Sequence, residues 1–160
     1  MIPTLTTERL TLRAPTMADL DAYAAFYASD HSHIIGGPVD RATAWRFFSS
    51  DAGQWILMGH GWWMIDDGNG PAGICGLHNP PHHADVELAW SLYAHATGKG
   101  YATEAARAAR EWAGDRWPRL VSYIDRTNAP SQAVARRLGA TDTGEPAAHD
   151  PASNVWEHPR

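Results

Sequence analysis

The chain has 160 residues, of which 44% are hydrophobic and 19% are charged. This size and composition predict one globular domain over residues 1–160. They exclude a disordered or collagen-like chain, because enough apolar surface is available to offset chain entropy. The most apolar stretch, residues 55–65, is interrupted by two glycines and a histidine and is shorter than the ~20 residues that a membrane-spanning helix needs. We therefore expect no membrane partner.

The N-terminal residues and the cysteine content favour the cytoplasm. Residues 1–9 have neither a basic start nor an apolar core, so they do not resemble a secretory signal. Cys75 is the single cysteine. One thiol cannot form an internal disulfide, which agrees with a reducing compartment.

The charge is unevenly distributed along the chain. The net charge is −5, but residues 1–98 carry four basic and ten acidic groups, residues 99–137 carry eight and four, and residues 138–160 carry one and four. The acidic total argues against a nucleic-acid partner. The basic middle segment suits a small polyanion as ligand. Helices with arginines on their solvent-exposed faces would give the same number of basic residues.

Hydrophobic periodicity predicts six strands and four helices. In the first half these are a strand over 8–14, a helix capped by Thr16 and Asp19, a helix from Asp40 to Gly53, and a hairpin of strands 60–66 and 71–78. In the second half they are a central strand over 85–93, an alanine-faced helix ending at residue 113, a strand over 119–125, a helix over 128–138 and a strand over 154–158. The predicted class is α/β (α+β), a sheet that is antiparallel at first and partly parallel later.

A glycine turn precedes the alanine-faced helix. Gly98 and Gly100 allow the backbone to approach a ligand, and successive N–H groups at a helix start form an anion site. Lys99, the only lysine, adds charge. Phosphate is the natural ligand, although glycine before a helix is often only a turn. A dinucleotide fingerprint is disfavoured because Thr103 stands where a third glycine or alanine is needed.

Four segments together resemble a known family. They are residues 87–92 with the following turn and helix start to Ala105, residues 128–140, residues 7–13, and residues 155–158. The first two are similar to the fourth strand, pyrophosphate loop and N-x-x-S helix of the GNAT acetyltransferase superfamily. The last two are similar to its Rim-type branch, whose known members acetylate ribosomal-protein N-termini. The resemblance covers nearly the whole chain.

The resemblance implies acetyl-coenzyme A as the acyl donor, with no metal. Its pantetheine would pair with the backbone of Trp90, Ser91 and Leu92. Its pyrophosphate would lie in the turn formed by Thr97, Gly98, Lys99, Gly100, Tyr101, Ala102 and Thr103. Asn128 and Ser131 would face the cofactor near its sulfur, and helix capping explains the same two residues. Thr97 stands where the family commonly has Gln or Arg.

Acyl transfer to an amine needs a proton acceptor and a proton for the leaving thiolate. Glu87, on the non-core face of the central strand, is the candidate base, and Tyr123 on the next strand is its rival. The family's usual acid, a tyrosine seven residues after the asparagine, is absent because Ala135 stands there. Ser131, or a water that it holds, would then protonate the thiolate.

Other catalytic chemistries have weaker support. His82 and His83 beside Asp85 are the best metal candidates, but they follow two prolines and lack spaced partners, so a solvated loop is expected. Cys75 lies in an apolar strand, where a buried thiol is ordinary. A Ser-His-Asp triad stays open, although no G-x-S-x-G elbow exists.

The expected function is therefore N-acetylation of a primary amine, either a small molecule or a peptide N-terminus, by a monomer or homodimer. Two alternatives stay open. One is a non-catalytic acyl-coenzyme A binding protein of the same fold, and the other is a small dinucleotide-binding domain.

Overall fold

The computed structural model describes all 160 residues as one mixed sheet of eight strands with four α-helices. The strands are β1 (Leu5–Thr6), β2 (Thr11–Arg13), β3 (Trp62–Asp66), β4 (Pro71–His78), β5 (Val86–Leu92), β6 (Leu120–Asp125), β7 (Thr141–Ala147) and β8 (Asp150–Glu157). The helices are α1 (Leu20–Ala28), α2 (Arg41–Met58), α3 (Tyr101–Ala113) and α4 (Ala129–Arg137). The predicted fold class is confirmed.

The sheet changes direction at one place. Its strand order is β1-β2-β3-β4-β5-β6-β8-β7, and every neighbouring pair is antiparallel except β5 and β6. The β5–α3–β6 crossover makes that one parallel pair, as a strand-helix-strand unit must. The predicted change from antiparallel to parallel pairing is therefore confirmed, at the centre of the sheet.

Two hydrophobic clusters cover the two faces of the sheet. One contains Val86 and Leu88 of β5, Leu12 of β2 and the alanine stripe of α3, whose residues Ala105, Ala106 and Ala109 are fully buried. The other contains Tyr23, Phe26 and Tyr27 of α1 and Phe48 of α2, packed on Met64 and Ile74. Small side chains let α3 approach the sheet closely, whereas the larger residues of α1 and α2 fill a wider space.

Local sequence signals set most helix starts. The Asp19 carboxylate accepts hydrogen bonds from the backbone N–H and hydroxyl of Thr16 at 2.8 and 3.0 Å. Asp40 accepts from the N–H of Thr43 at 2.8 Å and caps α2. Asn128 caps α4 in the same way. Each carboxylate or amide oxygen satisfies an N–H group that has no partner inside its helix.

The predicted end of α2 at Gly53 is wrong. The helix continues to Met58 and ends at Gly59, whose φ is +73°. A glycine in a helix interior costs only ~1 kcal/mol relative to alanine, and the next turn recovers this through tertiary contacts. Trp55 is 7% exposed, and its indole N–H donates to the carbonyl of Trp62 at 2.8 Å.

The sheet edges were also predicted incompletely. β1 was absent from the prediction, and β2 is shorter than the predicted strand over 8–14. β7 was missed because its residues are almost all exposed and show no apolar alternation. It forms because β8, which begins at Asp150 rather than residue 154, supplies its hydrogen-bond partners. Pairing of an exposed edge strand depends on its neighbour more than on its own sequence.

None of the four helices is both long and apolar enough to cross a membrane.

Candidate active site

A cleft opens between the two central strands. β5 and β6 pair only at Val86 with Leu120 and at Glu87 with Val121, although both strands continue for several residues beyond these pairs. At the next residue of β6, a side chain replaces the backbone as the donor. The hydroxyl of Ser122 donates a hydrogen bond to the carbonyl of Leu88. The strands therefore separate toward their carboxyl ends and leave one backbone edge of β5 without a partner strand.

The unpartnered edge belongs to the three residues that the resemblance assigned to pantetheine. On its other edge, β5 is held by β4, where Cys75 faces Trp90, Ile74 faces Ser91 and Gly73 faces Leu92. An extended ligand can pair with an open strand edge as an additional strand would. The geometry therefore suits the predicted role of Trp90, Ser91 and Leu92.

The glycine turn follows β5 after a single 3-10 turn over Ala94–Ala96. Gly98 has a φ of +75° and Gly100 of +82°, which are left-handed conformations that glycine adopts at no steric cost. No backbone N–H from residue 98 to residue 103 donates to a protein acceptor, and the first helical bond runs from Glu104 to Gly100. These free N–H groups at the start of α3 are the donors that an anionic group requires.

The side chains of the turn contribute less than its backbone. Lys99 is exposed, and its ammonium lies 5.6 Å from the ring centre of Tyr101. The hydroxyl of Thr97 donates to the carbonyl of Ala94 at 3.0 Å, so it closes the preceding turn. Ala102 is buried, and Thr103 is half-buried.

The turn is braced by residues that the sequence did not single out. Glu104 accepts hydrogen bonds from the hydroxyl of Thr7 at 2.6 Å and from Arg9, whose guanidinium also lies 5.0 Å from the ring centre of Tyr101. Although partial burial of Glu104 opposes ionisation, these hydrogen bonds outweigh it and lower its pKa. All of these residues lie in the family-like segments, but no local signal links residues 7–9 to the helix.

Asn128 and Ser131 stand at the start of α4, beside β6. The amide oxygen of Asn128 accepts from the backbone N–H of Ser131 at 3.2 Å, which confirms the capping role. The hydroxyl of Ser131 makes no hydrogen bond with the protein, and the side chain is half-buried. Capping therefore uses the backbone of Ser131 and leaves its hydroxyl free for a ligand.

Ala135 occupies the position of the family's usual acid. It is fully buried and packs with Ile124, Ala140 and Trp156 in a small cluster of its own. No polar group at this position can reach the cleft.

Glu87 lies where the two strands begin to separate. It shares the face of the sheet that carries α1 and α2, because alternation places it with Ser91, which pairs with Ile74 of that cluster. The prediction of a non-core face is therefore wrong, since the second hydrophobic cluster covers this face and the Glu87 side chain is only 14% exposed. Burial raises the pKa of Glu87 to about 8, and the backbone N–H of Tyr123 opposes this in part.

Tyr123 lies on the same face, two residues beyond the partner of Glu87. Its phenol oxygen accepts a hydrogen bond from the backbone N–H of Asp85 at 3.3 Å. Burial raises the pKa of Tyr123, and the charges of Asp85 and Glu87 add to this effect. A phenol held in its protonated form is a weaker proton acceptor at neutral pH than the neighbouring carboxylate.

Four histidines gather around these two residues. The rings of His83 and His149 are stacked with centres 3.9 Å apart, and His78 and His82 contact His83 edge-on at 5.2 and 4.9 Å. The expected solvated loop is wrong for His83, whose side chain is only 6% exposed. No group of three or more His, Cys, Asp or Glu side chains has the arrangement of a metal site. The doublet His82-His83 was the only sequence signal for this cluster.

Cys75 is free and fully buried in β4, and burial raises the pKa of its thiol. A reactive cysteine needs thiolate character and access. The ordinary buried thiol is therefore the correct interpretation of this residue.

The site combines an open strand edge, a turn of free N–H groups and a buried carboxyl group at the point where the strands separate. Such a site can hold an extended ligand that bears phosphate groups and places a titratable carboxyl group nearby. The family model for the acetyltransferase (GNAT) domain matches residues 9–141. The chain belongs to the GNAT acetyltransferase family.

Solved structures agree with this assignment. An acetyltransferase from Agrobacterium tumefaciens strain C58 is 43% identical, with a TM-score of 0.92 over 100% of this chain and 96% of that one. A putative GNAT-family acetyltransferase from Bordetella pertussis is 26% identical, with a TM-score of 0.83 over 99% and 100%. RimL, a ribosomal L7/L12 alpha-N-protein acetyltransferase, is 18% identical, with a TM-score of 0.78 over 100% and 94%, and shares the fold. Comparison with curated protein sequences gives no match.

Proposed function

We propose that this acyltransferase moves an acetyl group from acetyl-coenzyme A to a primary amine, with both substrates bound at once. The observation that carries the proposal is the continuity of the cleft. The unpartnered edge of β5 leads directly into the turn of free N–H groups, and Glu87 lies at the other end of the same strand. One strand therefore offers sites for the donor arm, the phosphates and the proton acceptor.

The proposed donor site uses backbone groups for most contacts. Trp90, Ser91 and Leu92 would pair with the pantetheine, and residues 97–103 would hold the pyrophosphate, aided by the basic segment 99–137. Two structures with the same fold support a coenzyme A ligand. RimL, 16% identical, was solved in complex with coenzyme A, and the microcin C7 self-immunity acetyltransferase MccE, 18% identical, with acetyl-CoA and AMP.

The proposed reaction is a direct attack. Glu87 takes a proton from the ammonium form of the acceptor, and the neutral nitrogen then attacks the thioester carbonyl carbon. Free backbone N–H groups on the open edge of β5 are available to stabilise the oxyanion. The attacking nitrogen is cationic in the tetrahedral intermediate and must lose its second proton. As the carbon–sulfur bond breaks, this proton passes through the hydroxyl of Ser131, or through a water that it holds, to the thiolate, so the serine hydroxyl is unchanged at the end. Asn128 keeps α4 in place beside the sulfur.

The acceptor is proposed as a primary amine, either a small molecule or a peptide N-terminus. The Rim-type sequence features favour an N-terminus, and RimL is named for acetylating one. A monomer or homodimer in the cytoplasm would suit a chain whose one cysteine is free and buried.

The test is turnover with a panel of acceptors. Purified protein is incubated with acetyl-coenzyme A and small amines, aminoglycosides or peptides with free N-termini, and release of free thiol is measured. Amine-dependent thiol release that falls at least tenfold in Glu87→Gln supports the proposal. Tight coenzyme A binding by calorimetry without amine-dependent release would instead identify a non-catalytic acyl-coenzyme A binding protein, which the buried Ala135 would explain.

A further inference from the structure

His83 is the one basic side chain within 4 Å of the Glu87 carboxyl group. The Nδ1 atom of His83 lies 3.6 Å from Oε2 of Glu87, slightly beyond hydrogen-bond distance. This Nδ1 is buried and has no hydrogen-bond partner, which is uncommon for a polar atom in a folded protein. The other ring nitrogen, Nε2, also makes no hydrogen bond but is not closed off from solvent. His83 therefore connects the buried carboxyl group with the surface.

The ring of His83 is held in this orientation from several sides. His149, in the turn between β7 and β8, stacks on it, and the ring of Tyr123 on β6 meets it edge-on at 5.1 Å. His78 of β4 and His82 of the same loop complete the enclosure. Asp85, two residues from His83 in the chain, is paired with Arg119 at 3.0 Å. The free Nδ1 thus faces Glu87 and no competing partner.

Each turnover of the proposed reaction leaves one proton on Glu87. The carboxyl group is largely buried, so this proton needs a route to water before the next amine can be deprotonated. We propose that His83 is that route, a positioning residue that receives the proton of Glu87 at Nδ1 and releases a proton to solvent from Nε2. The inference rests on the proposed role of Glu87 as the base.

The proton count balances without a further reactant. The carboxylic acid of Glu87 becomes a carboxylate, the O–H bond is replaced by an N–H bond at Nδ1, and the N–H bond at Nε2 breaks as a water molecule takes the proton. The imidazole is neutral before and after the step and differs only in which nitrogen carries the hydrogen. Rotation of the ring about its Cβ–Cγ bond then lets the Nδ1 hydrogen exchange with water and Nε2 regain one, so Nδ1 can accept again in the next turnover.

The surroundings of His83 disfavour a protonated ring, so a proton that reaches the ring does not stay on it. Burial lowers the pKa of His83 to about 3, and repulsion from His149, His78 and His82 adds to the shift. The ring is therefore neutral at pH 7. Transfer of a proton from Glu87 to His83 is unfavourable at equilibrium, so a positive charge on the ring is short-lived. An imidazole that retained the proton would hold a cation beside the arriving ammonium group of the substrate.

The first test replaces the ring nitrogens and keeps the ring. His83→Phe preserves stacking on His149, and His31→Phe is the control, because His31 is exposed and is not among the side chains around His83 and Glu87. We expect kcat at pH 7 to fall at least tenfold in His83→Phe, with the KM values of both substrates within twofold of wild type, and His31→Phe to remain near wild type. A His83→Phe enzyme with normal kcat and an unchanged pH profile would overturn the proposal.

Chemical rescue separates proton transfer from packing. In His83→Ala, added imidazole should restore kcat in a concentration-dependent manner, whereas pyrazole, a ring of the same size that is scarcely basic, should not. Equal rescue by both rings would assign a packing role to His83 and overturn the proposal. This arm also applies if His83→Phe folds poorly.

A double substitution distinguishes this inference from the proposed function. If His83 acts through Glu87, then His83→Phe should cost less than twofold in a Glu87→Gln background. A full loss in that background means that His83 acts independently, which overturns the inference alone. Normal activity of Glu87→Gln by itself overturns the proposed base and the inference with it.

Discussion

Arg9 and Glu104 are 95 residues apart in the chain and joined by three contacts. The backbone N–H of Arg9 donates to Oε1 of Glu104 at 2.9 Å, its Nε donates to Oε2 at 2.8 Å, and its Nη2 lies 2.6 Å from the same oxygen. The guanidinium also donates to the carbonyl of Lys99 at 2.9 Å. The segment before β2 therefore fixes the glycine turn at Lys99 and at Glu104, the residue that follows the turn.

Arg9→Ala should weaken coenzyme A binding by loosening this turn. Because the arginine is about half exposed, we expect a loss of about 1 kcal/mol, roughly fivefold in Kd, with kcat at saturating donor little changed. Isothermal titration calorimetry measures the change. Arg41→Ala, which removes an exposed ion pair with Asp21 elsewhere on the surface, is the control. Equal effects of the two variants would contradict a specific role for Arg9.

Gly100→Asp should abolish coenzyme A binding while the fold persists. The substitution adds a Cβ atom at a left-handed φ of +82° and puts a carboxylate beside the free N–H groups. Gly68→Asp in the β3–β4 hairpin turn is the control, since its φ is +86° and a Cβ atom there meets nothing within 4 Å, whereas at Gly100 it meets only Nη2 of Arg9 at 3.4 Å. Similar coenzyme A affinity in the two variants, measured by calorimetry, would show that the turn is not the phosphate site.

Ser131→Ala and Asn128→Ala should separate chemistry from capping. Asn128→Ala removes the oxygen that caps α4 and should lower the free energy of unfolding by about 1 kcal/mol. Ser131→Ala leaves that bond intact, because the cap uses the backbone N–H of Ser131, so it should lower kcat without a matching loss of stability. Urea unfolding and steady-state kinetics on both variants measure this. Normal kcat in Ser131→Ala would remove the serine from the proposed mechanism.

The activity of the wild type should rise with pH through the titration of Glu87. Its pKa of about 8 means that the carboxyl group is mostly protonated at pH 7 and gains its basic form as the pH increases. Glu87→Gln keeps the shape and removes the acceptor, so kcat should fall at least tenfold at pH 7. Much of the loss should be recovered at high pH, where the amine is already neutral.

Tyr123→Phe serves as the comparison for Glu87→Gln. Its phenol is held protonated, so its removal should affect kcat less than the loss of the carboxylate. If Tyr123→Phe is the more damaging change across the pH range, the base lies on β6 and not on β5.

Asp51 should make stability depend on pH in the direction opposite to most carboxylates. It accepts a hydrogen bond from Tyr23 at 2.7 Å between α1 and α2, and burial raises its pKa to about 7. The stabilising contribution is full below about pH 4, the unfolded value, and is lost as the pH rises through 7. Asp51→Asn should therefore gain melting temperature relative to wild type between pH 5 and pH 8. Asp21→Asn, an exposed position, should show no such gain.

Local patterns were sufficient to predict much of the fold and the glycine turn. Strand alternation, helix caps and a turn rich in glycine act over a few residues, so the order from the β3–β4 hairpin to α4 could be read from the sequence. β7 and the end of α2 could not, because the first depends on pairing with β8 and the second on the anchoring of Trp55. Tertiary contacts override weak local preferences in both cases.

The surroundings of Glu87 were not predictable for a different reason. Strand alternation placed Glu87 on the face opposite Val86 and Leu88, but periodicity does not show what covers that face. His149 reaches it from a hairpin that the sequence did not reveal, and Arg9 reaches the phosphate turn from the other end of the chain. Such contacts between distant segments leave no periodic trace in either segment.

Because β5 and β6 form only two residue pairs, the sheet consists of two halves that share few direct hydrogen bonds. One half contains β1 to β5, and the other contains β6, β8 and β7. A donor bound in the gap would form hydrogen bonds with β5 and contact α4 beside β6. It would thereby take the place of the hydrogen bonds that β5 and β6 do not form with each other. Its binding would couple the unfolding of the two halves as well as supply a reactant. Without ligand, the amide hydrogens of β6 and β8 would then exchange at rates unrelated to those of β3 and β4. With ligand bound, the exchange rates of the two halves would become similar.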